Sequence, residues 1–384
     1  MGMKARELGF PFNERCGKWN AITDVAGVEV GFSTIIEGEA TPDTTPESDF
    51  ARTGVTCILP RGHRTSAVFA GRADLNGNGE LTGTHWVDDS GFLHGPILIT
   101  NTNSVGITRD TASKWMLDND YFYPMRDADG KPIPGYGFFY PVVGETYDGL
   151  LNNINGFRVK PEHVLEALDS AASGPVAEGN VGGGTGMRCH GFKGGTGTAS
   201  RIVKTEAGEF TVGVLVQANH GKREEMNVFG IPLGKEVEGA EAITKRLSPK
   251  EGDGSMIAVV ATDAPLLPWQ LAKLARRAGL GMNQLGSGNG SNSGDIFIAF
   301  STANDGAFND VITQVTLLGD VQLDPIFHAA TDATAEAIMN ALVNAEDMVG
   351  RNGNALFAIP HDEIHRILEK YKSFLDEAWK PEEK

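Results

Sequence analysis

The stretch from Ser255 to Phe300 restricts the fold of this chain more than any other. Met256-Ile-Ala-Val-Val-Ala261 is an unbroken apolar run, and Asp295-Ile-Phe-Ile-Ala-Phe300 is a second. A strand with one wet face alternates apolar and polar residues, whereas a strand covered on both faces reads as a continuous apolar run. Between the two runs, Leu267, Leu271, Leu274, Ala275 and Ala278 recur at the spacing of one helix face, in a helix expected to open near Asp263. A glycine loop, Gly286–Gly294, closes the connection. Strands of this kind need cover above and below, which predicts an α/β fold built as a layered sandwich.

The other elements fit that plan. Val55-Thr-Cys-Ile-Leu59, Ser66-Ala-Val-Phe-Ala70, Pro96-Ile-Leu-Ile-Thr100 and Glu209–Gln217 are β-rich runs bounded by turn residues. Helices are expected at Pro161–Ala171, from Asp324-Pro325 as N-cap and first-turn proline, and through Ile364, Ile367, Leu368, Tyr371, Phe374 and Leu375 at the chain's end. Residues 232–254 differ in kind: polar, charged, and closing on Lys250-Glu-Gly-Asp-Gly254, they predict an exposed loop that feeds directly into the buried run at Ser255.

Composition excludes several functions. The net charge of −17 leaves little scope for a basic surface to neutralise nucleic-acid or membrane phosphates. Cys16, Cys57 and Cys189 are odd in number and widely spaced, without C-x-x-C, so buried free thiols are expected rather than a disulfide framework or a zinc knuckle. Neither a signal-peptide core nor an ~18-residue apolar span is present, and a cytoplasmic location is the expectation.

Most local motifs lack the residues their chemistry needs. Asp74-Leu-Asn-Gly-Asn-Gly79 opens like a calcium loop, but His85 stands where a bidentate Glu belongs, so an Asn-Gly turn is expected. His361-Asp-Glu-Ile-His365 has Asp where a zinc protease needs Glu, and is expected as a solvated helix face. Glu178-Gly-Asn-Val-Gly-Gly-Gly-Thr-Gly186 and Gly191-Phe-Lys-Gly-Gly-Thr-Gly197 match neither phosphate-binding pattern and predict close backbone approach. G-x-S-x-G is absent, leaving the α/β-hydrolase elbow unsupported. No metal or cofactor is expected.

Gly254-Ser255 remains. A serine hydroxyl is a weak nucleophile that needs an adjacent base. Were the bond before Ser255 cut, that residue would carry a free α-amine, whose pKa of about 7.7–8.0 suits proton acceptance near neutrality. One residue would then supply both nucleophile and base.

The ordered stretches Pro141–Gly149, Glu178–Gly186, Gly191–Arg201, Val214–Asn219, Gly254–Pro268 and Ser293–Ser301 together resemble the L-aminopeptidase D-amidase/D-esterase family, which includes β-peptidyl aminopeptidases. The resemblance covers nearly the whole chain. It implies a precursor that cleaves itself into residues 1–254 and 255–384, which stay together as one structural domain, a four-layer αββα sandwich resembling Ntn hydrolases but with different connectivity. It also implies a homotetramer acting on small peptides, amides or esters with a free amino terminus.

Site residues follow position by position. Ser255 resembles the nucleophile, and Ser293 and Asp295 the assisting Ser-Gly-acid pair, with Ser291 a competitor for the serine. Asn219 matches the side-chain amide of the oxyanion hole, and Tyr147 an aromatic position that in some members adds a hydroxyl to it. Glu145 is placed to hold the substrate ammonium. Two alternatives stay open. Ornithine acetyltransferases and nylon-oligomer hydrolases have similar sandwiches but a Thr nucleophile, and an uncleaved binding protein would keep the fold without turnover. Preference among α-L, α-D and β-amino termini is not legible in the sequence.

Overall fold

A computed structural model describes residues 2–41, 50–121, 129, 138–244, 254–309 and 312–379. In chain order the strands of the layers and the site are β1 (Glu29–Glu37), β2 (Ala51–His63), β3 (Val68–Gly77), β4 (Phe92–Leu93), β5 (Ile97–Asn101), β6 (Val142–Thr146), β7 (Arg188–Cys189), β8 (Phe192–Lys193), β9 (Gly195–Thr205), β10 (Gly208–Asn219), β11 (Ser255–Thr262) and β12 (Gly294–Ser301). The helices used below are α1 (Thr84–Ser90), α2 (Val105–Asp118), α3 (Pro161–Asp169), α4 (Leu233–Glu236), α5 (Pro268–Gln284), α6 (Leu323–Val343) and α7 (His361–Lys370).

The continuous apolar runs explain the layering. Along β11, Met256, Ala258 and Val260 pack with α5 and α6, while Ile257, Val259 and Ala261 pack with Ile58, Ile97, Ile99 and Val142 of a second sheet. Successive strand side chains point to opposite faces, so an all-apolar strand is one with a core on each side. A six-stranded sheet, β4-β3-β12-β11-β10-β9, faces a four-stranded sheet, β1-β2-β5-β6. The outer face of the smaller sheet is covered by α2 and α3 through Trp115, Met116, Val164 and Leu168. The result is the expected four layers, helices on sheet on sheet on helices. Gln217 stitches the two sheets near one end: its Nε2 on β10 donates to the Thr100 carbonyl of β5 and the Thr146 hydroxyl of β6.

The glycine stretches mark close approach, as expected. A β-carbon on Gly197 would lie 1.9 Å from the Ala337 carbonyl oxygen, so α6 rests directly on β9.

Several boundaries depart from expectation. Helix α5 opens at Pro268 rather than near Asp263, because Pro268 at its first position fixes the start. Helix α6 opens at Leu323, fed by a short turn at Asp320–Gln322, so Asp324 is not the N-cap but sits in the first turn, beside the positive helix end. The terminal helix breaks at Tyr371. The stretch from 232 is not simply an exposed loop. Leu233 and Val237 are core residues, and the Arg223 guanidinium pins the carbonyls of Gly234, Val237 and Gly239. Its charged end, residues 245–253, lies outside the described residues. All three cysteines are free, Cys57 and Cys189 buried and Cys16 half-buried. His361 uses its Nε2 on the Val343 carbonyl at 2.8 Å. Among the described residues no helix is long and apolar enough to cross a membrane.

Candidate active site

Strand register assembles the site. Ser255 is the first residue of β11, directly opposite Asn219, the last residue of antiparallel β10. On its other side it faces Gly294, the first residue of parallel β12. Ser293, Gly294 and Asp295 therefore flank Ser255 on one side and Asn219 on the other. Ser255 is 7% exposed. A β-carbon on Gly294 would fall 2.4 Å from the Asn78 carbonyl and 3.1 Å from Ser255 Oγ, so the Asn78 backbone leaves room only for glycine between Ser293 and Asp295, and a larger residue would also crowd the serine.

Asp295 is buried and bonded at both oxygens. Its Oδ1 accepts from Ser293 Oγ at 2.7 Å and from the Met256 amide at 3.1 Å, and its Oδ2 accepts from Asn76 Nδ2 at 3.0 Å. Burial pushes its pKa above the usual carboxylate range, and these hydrogen bonds oppose the shift. Ser293 and Asp295 are two residues apart, so the carboxylate reaches the hydroxyl within one segment. Ser291 is exposed, while Ser293 is buried and bonded to Asp295.

Asn219 is oriented from both ends. Its Oδ1 accepts from the Arg188 amide at 2.9 Å, which fixes which atom is oxygen, and its Nδ2 donates to the Tyr147 carbonyl at 3.1 Å. An amide carries two N–H donors, so one remains for another acceptor. Tyr147 meets Asn219 through its backbone. The residue is 40% exposed, and its hydroxyl lies over Gly149, where a β-carbon would come within 2.4 Å of it.

Glu145, on β6, is not a solvated charge. It is buried, accepts a hydrogen bond from Thr102 Oγ1, and accepts another from the Glu80 amide at 3.2 Å. Burial raises its pKa. A β-carbon on Gly79 would fall 2.9 Å from Glu145 Oε1 and 3.6 Å from the Gly294 Cα, so the carboxylate stands one residue's width from the neighbour of Ser255.

The 74–79 stretch meets the turn expectation only at its second Asn-Gly, where the chain bends at Asn78-Gly79. Asn76-Gly77 is no turn: β3 runs through to Gly77 and pairs with β12, with an irregularity at Asp295/Ile296 that brings Asn76 opposite Asp295. Asp74 is paired with Arg72. Asn76, Thr102 and the Glu80 and Arg188 amides are site contacts that sequence reasoning missed. Only Asn76 carried a signal, lying within a stretch singled out for another reason.

A hydroxyl, a buried Ser–carboxylate pair and an oriented amide around one strand terminus are the parts of an acyl-transfer site. The Peptidase family S58 model matches residues 20–356 of the chain. The chain belongs to peptidase family S58. As an S58 member it is a peptide or amide hydrolase. It is 49% identical to a beta-peptidyl aminopeptidase, BapA, of Sphingosinicella microcystinivorans, over 97% of this chain and 93% of that one. The solved L-aminopeptidase D-Ala-esterase/amidase of Ochrobactrum anthropi, described as a prototype for the serine aminopeptidases and a new variant of the Ntn hydrolase fold, superposes with a TM-score of 0.85 at 46% identity, covering 96% of this chain and 99% of that one. A Burkholderia sp. beta-aminopeptidase superposes with a TM-score of 0.82 at 42% identity, with the same coverages.

Proposed function

We propose that this S58 chain is a self-cleaving serine aminopeptidase that releases N-terminal residues from peptides, amides or esters through an acyl-enzyme on Ser255. The observation that carries this is the placement of Ser255 at the head of β11, between Asn219 on one neighbour strand and the Ser293-Gly294-Asp295 corner on the other.

Processing comes first. Ser255 Oγ attacks the Gly254 carbonyl carbon, the C–N bond breaks, and the acyl group passes from nitrogen to oxygen. Water then hydrolyses the ester, leaving residues 1–254 and a chain that begins at Ser255. The Gly254 carbonyl accepts from the Gly294 amide at 3.1 Å, which polarises it towards attack. A β-carbon at Gly254 would fall 2.0 Å from the Asn219 carbonyl, so a larger residue cannot enter this corner without moving it.

Turnover reuses the parts. Ser255 Oγ attacks the carbonyl of the substrate's first residue, and its own α-amine, or a relay through Ser293 to Asp295, takes the proton. The spare Asn219 N–H stabilises the oxyanion. The amine product leaves with the returned proton, and water releases the acyl group. Glu145 holds the substrate ammonium. The free thiols suit a reducing cytoplasm. A homotetramer is the assembly proposed, and exposed Ile312, Val315, Leu317 and Val321 offer apolar surface for it.

Intact mass of the purified protein tests the scheme: two fragments, the second beginning at Ser255, are expected, and a single chain in active material would overturn it. Glu145→Gln is expected to raise KM for substrates with a free amine at least tenfold while sparing kcat, because a charge-assisted hydrogen bond contributes about 1.5–3 kcal/mol. With the α-amine as base, kcat/KM of the parent falls in two steps as pH drops, first as the Ser255 amine gains a proton at about 7.7–8.0 and then, lower, through the Glu145 pKa. That lower limb lies above the ~4.3 of an ordinary glutamate, since burial favours the protonated form. Steady-state rates across pH check both statements.

A further inference from the structure

Behind Asn219 lies a buried polar cluster to which the scheme above gives no role. Cys189, His190, His220 and Ser287 are each nearly or fully buried. His190 Nδ1 lies 3.2 Å from the Lys222 carbonyl, which can only accept, so that nitrogen carries a proton. With one proton on the ring, His190 Nε2 accepts from Ser287 Oγ at 3.5 Å. Ser287 Oγ then accepts from His220 Nδ1 at 3.0 Å, and His220 Nε2, left bare, faces the Cys189 thiol at 3.9 Å. Burial holds His220 neutral, its pKa well below the ordinary range, and pushes the Cys189 thiol up to about 12. The polar atoms form one directed chain, Cys189 to His220 to Ser287 to His190 to the Lys222 backbone.

A thiol and two imidazoles are also a metal-ligand set, and their donor atoms lie within 4.8 Å of one another. Bonds of about 2.0–2.3 Å to a tetrahedral ion set ligand atoms roughly 3.3–3.7 Å apart. The 3.9 Å between Cys189 and His220 is already wider, and hydrogen bonds account for the cluster without an ion.

The cluster is placed where three site segments meet. His220 follows Asn219, and its carbonyl accepts from the His190 amide at 2.7 Å. The Arg188 amide, two residues before His190, orients Asn219. Ser287 stands in the loop that leads from α5 to Ser293. One hydroxyl between two imidazoles therefore ties the oxyanion amide, the hairpin that aims it and the loop that carries the assisting serine.

We propose that His220 and Ser287 are positioning residues that hold Asn219 and the Ser293 loop in register with Ser255. The inference rests on the function proposed above. Misplacing a reacting group by about 1 Å costs roughly 10²-fold in rate, and loosening this tie is expected to cost part of that. Ser287→Ala and His220→Leu should each lower kcat about tenfold, with KM within about twofold, and slow the appearance of the two fragments. His220→Asn, whose amide N–H falls where Nδ1 lies, should recover most of the loss. Rates, melting temperature and metal content are measured together. Parent kcat in both Ser287→Ala and His220→Leu would overturn the proposal. So would an Asn variant as impaired as Leu, with melting temperature falling in step, since packing alone would explain that. One equivalent of bound transition metal, lost in His220→Leu, would replace the hydrogen-bonded tie with a metal site. Residual hydrolysis in Ser255→Ala would instead sink the function itself; an inert Ser255→Ala beside parent-like Ser287→Ala and His220→Leu sinks only the tie.

Discussion

Ser255→Ala will run as one full-length band of 384 residues on a denaturing gel and will release no product from amide substrates. Two reactions fail for one reason. In the proposed scheme the same hydroxyl cuts the chain and attacks the substrate, and its removal also denies the site its α-amine, because no new terminus forms. Removing the nucleophile of a serine hydrolase costs on the order of 10⁶ in kcat. The fold should survive, since β11 keeps both neighbours and loses one oxygen. Ser255→Thr is the informative companion: it keeps a hydroxyl and the potential amine, so slow processing is expected, and fragments of unchanged size should accumulate over hours. Splitting of the alanine variant at the same bond would mean that another group performs the cut.

Asn219→Ala is expected to lower kcat by about 10²–10³, or ~3–4 kcal/mol, with little change in KM. The geometry gives the reason. The Arg188 amide holds the side-chain oxygen, so the nitrogen faces the Tyr147 carbonyl and keeps one donor for charge that develops only during attack. Asn219→Asp keeps the shape but replaces that donor with an anion facing a carbonyl, and should be at least as impaired. Active-site titration in parallel with steady-state rates separates slow acylation from incomplete processing. A parent-like kcat in fully processed Asn219→Ala would move the oxyanion donor elsewhere.

Much of the fold was legible because burial on two faces leaves a continuous apolar spelling. Met256–Ala261 and Asp295–Phe300 mark the centre of the larger sheet, and their even and odd residues divide between two cores. Helix starts were less legible. Asp324-Pro325 has the letters of an N-cap, yet a preceding turn at Asp320–Gln322 moves the start upstream. The proposed nucleophile and its flanking residues rest on a resemblance spread over the whole chain. Their adjacency is a matter of register, which no local pattern encodes: Asn219 and Ser255 are neighbours because β10 and β11 pair in one alignment out of several. Asn76 shows the limit from the other side. Asn-Gly suggests a turn, but pairing with β12 carries β3 through it and sets the amide against Asp295. The cluster at His220 had no signal at all, since its members come from three separate stretches.

The central strands have a consequence for the lifetime of the mature molecule. β11 opens the fragment that processing would release, yet it is hydrogen-bonded on one side to β10 of the other fragment, while β12 lies against β3, also of the other fragment. Once processed, the two polypeptides would be interleaved rather than docked, so neither could leave while the sheet stands. Melting would then be a ratchet. What folded as one chain would have to come back as two, at a rate set by concentration and by partners that aggregate once bared. Endurance in such a molecule is governed by how rarely its middle layer opens.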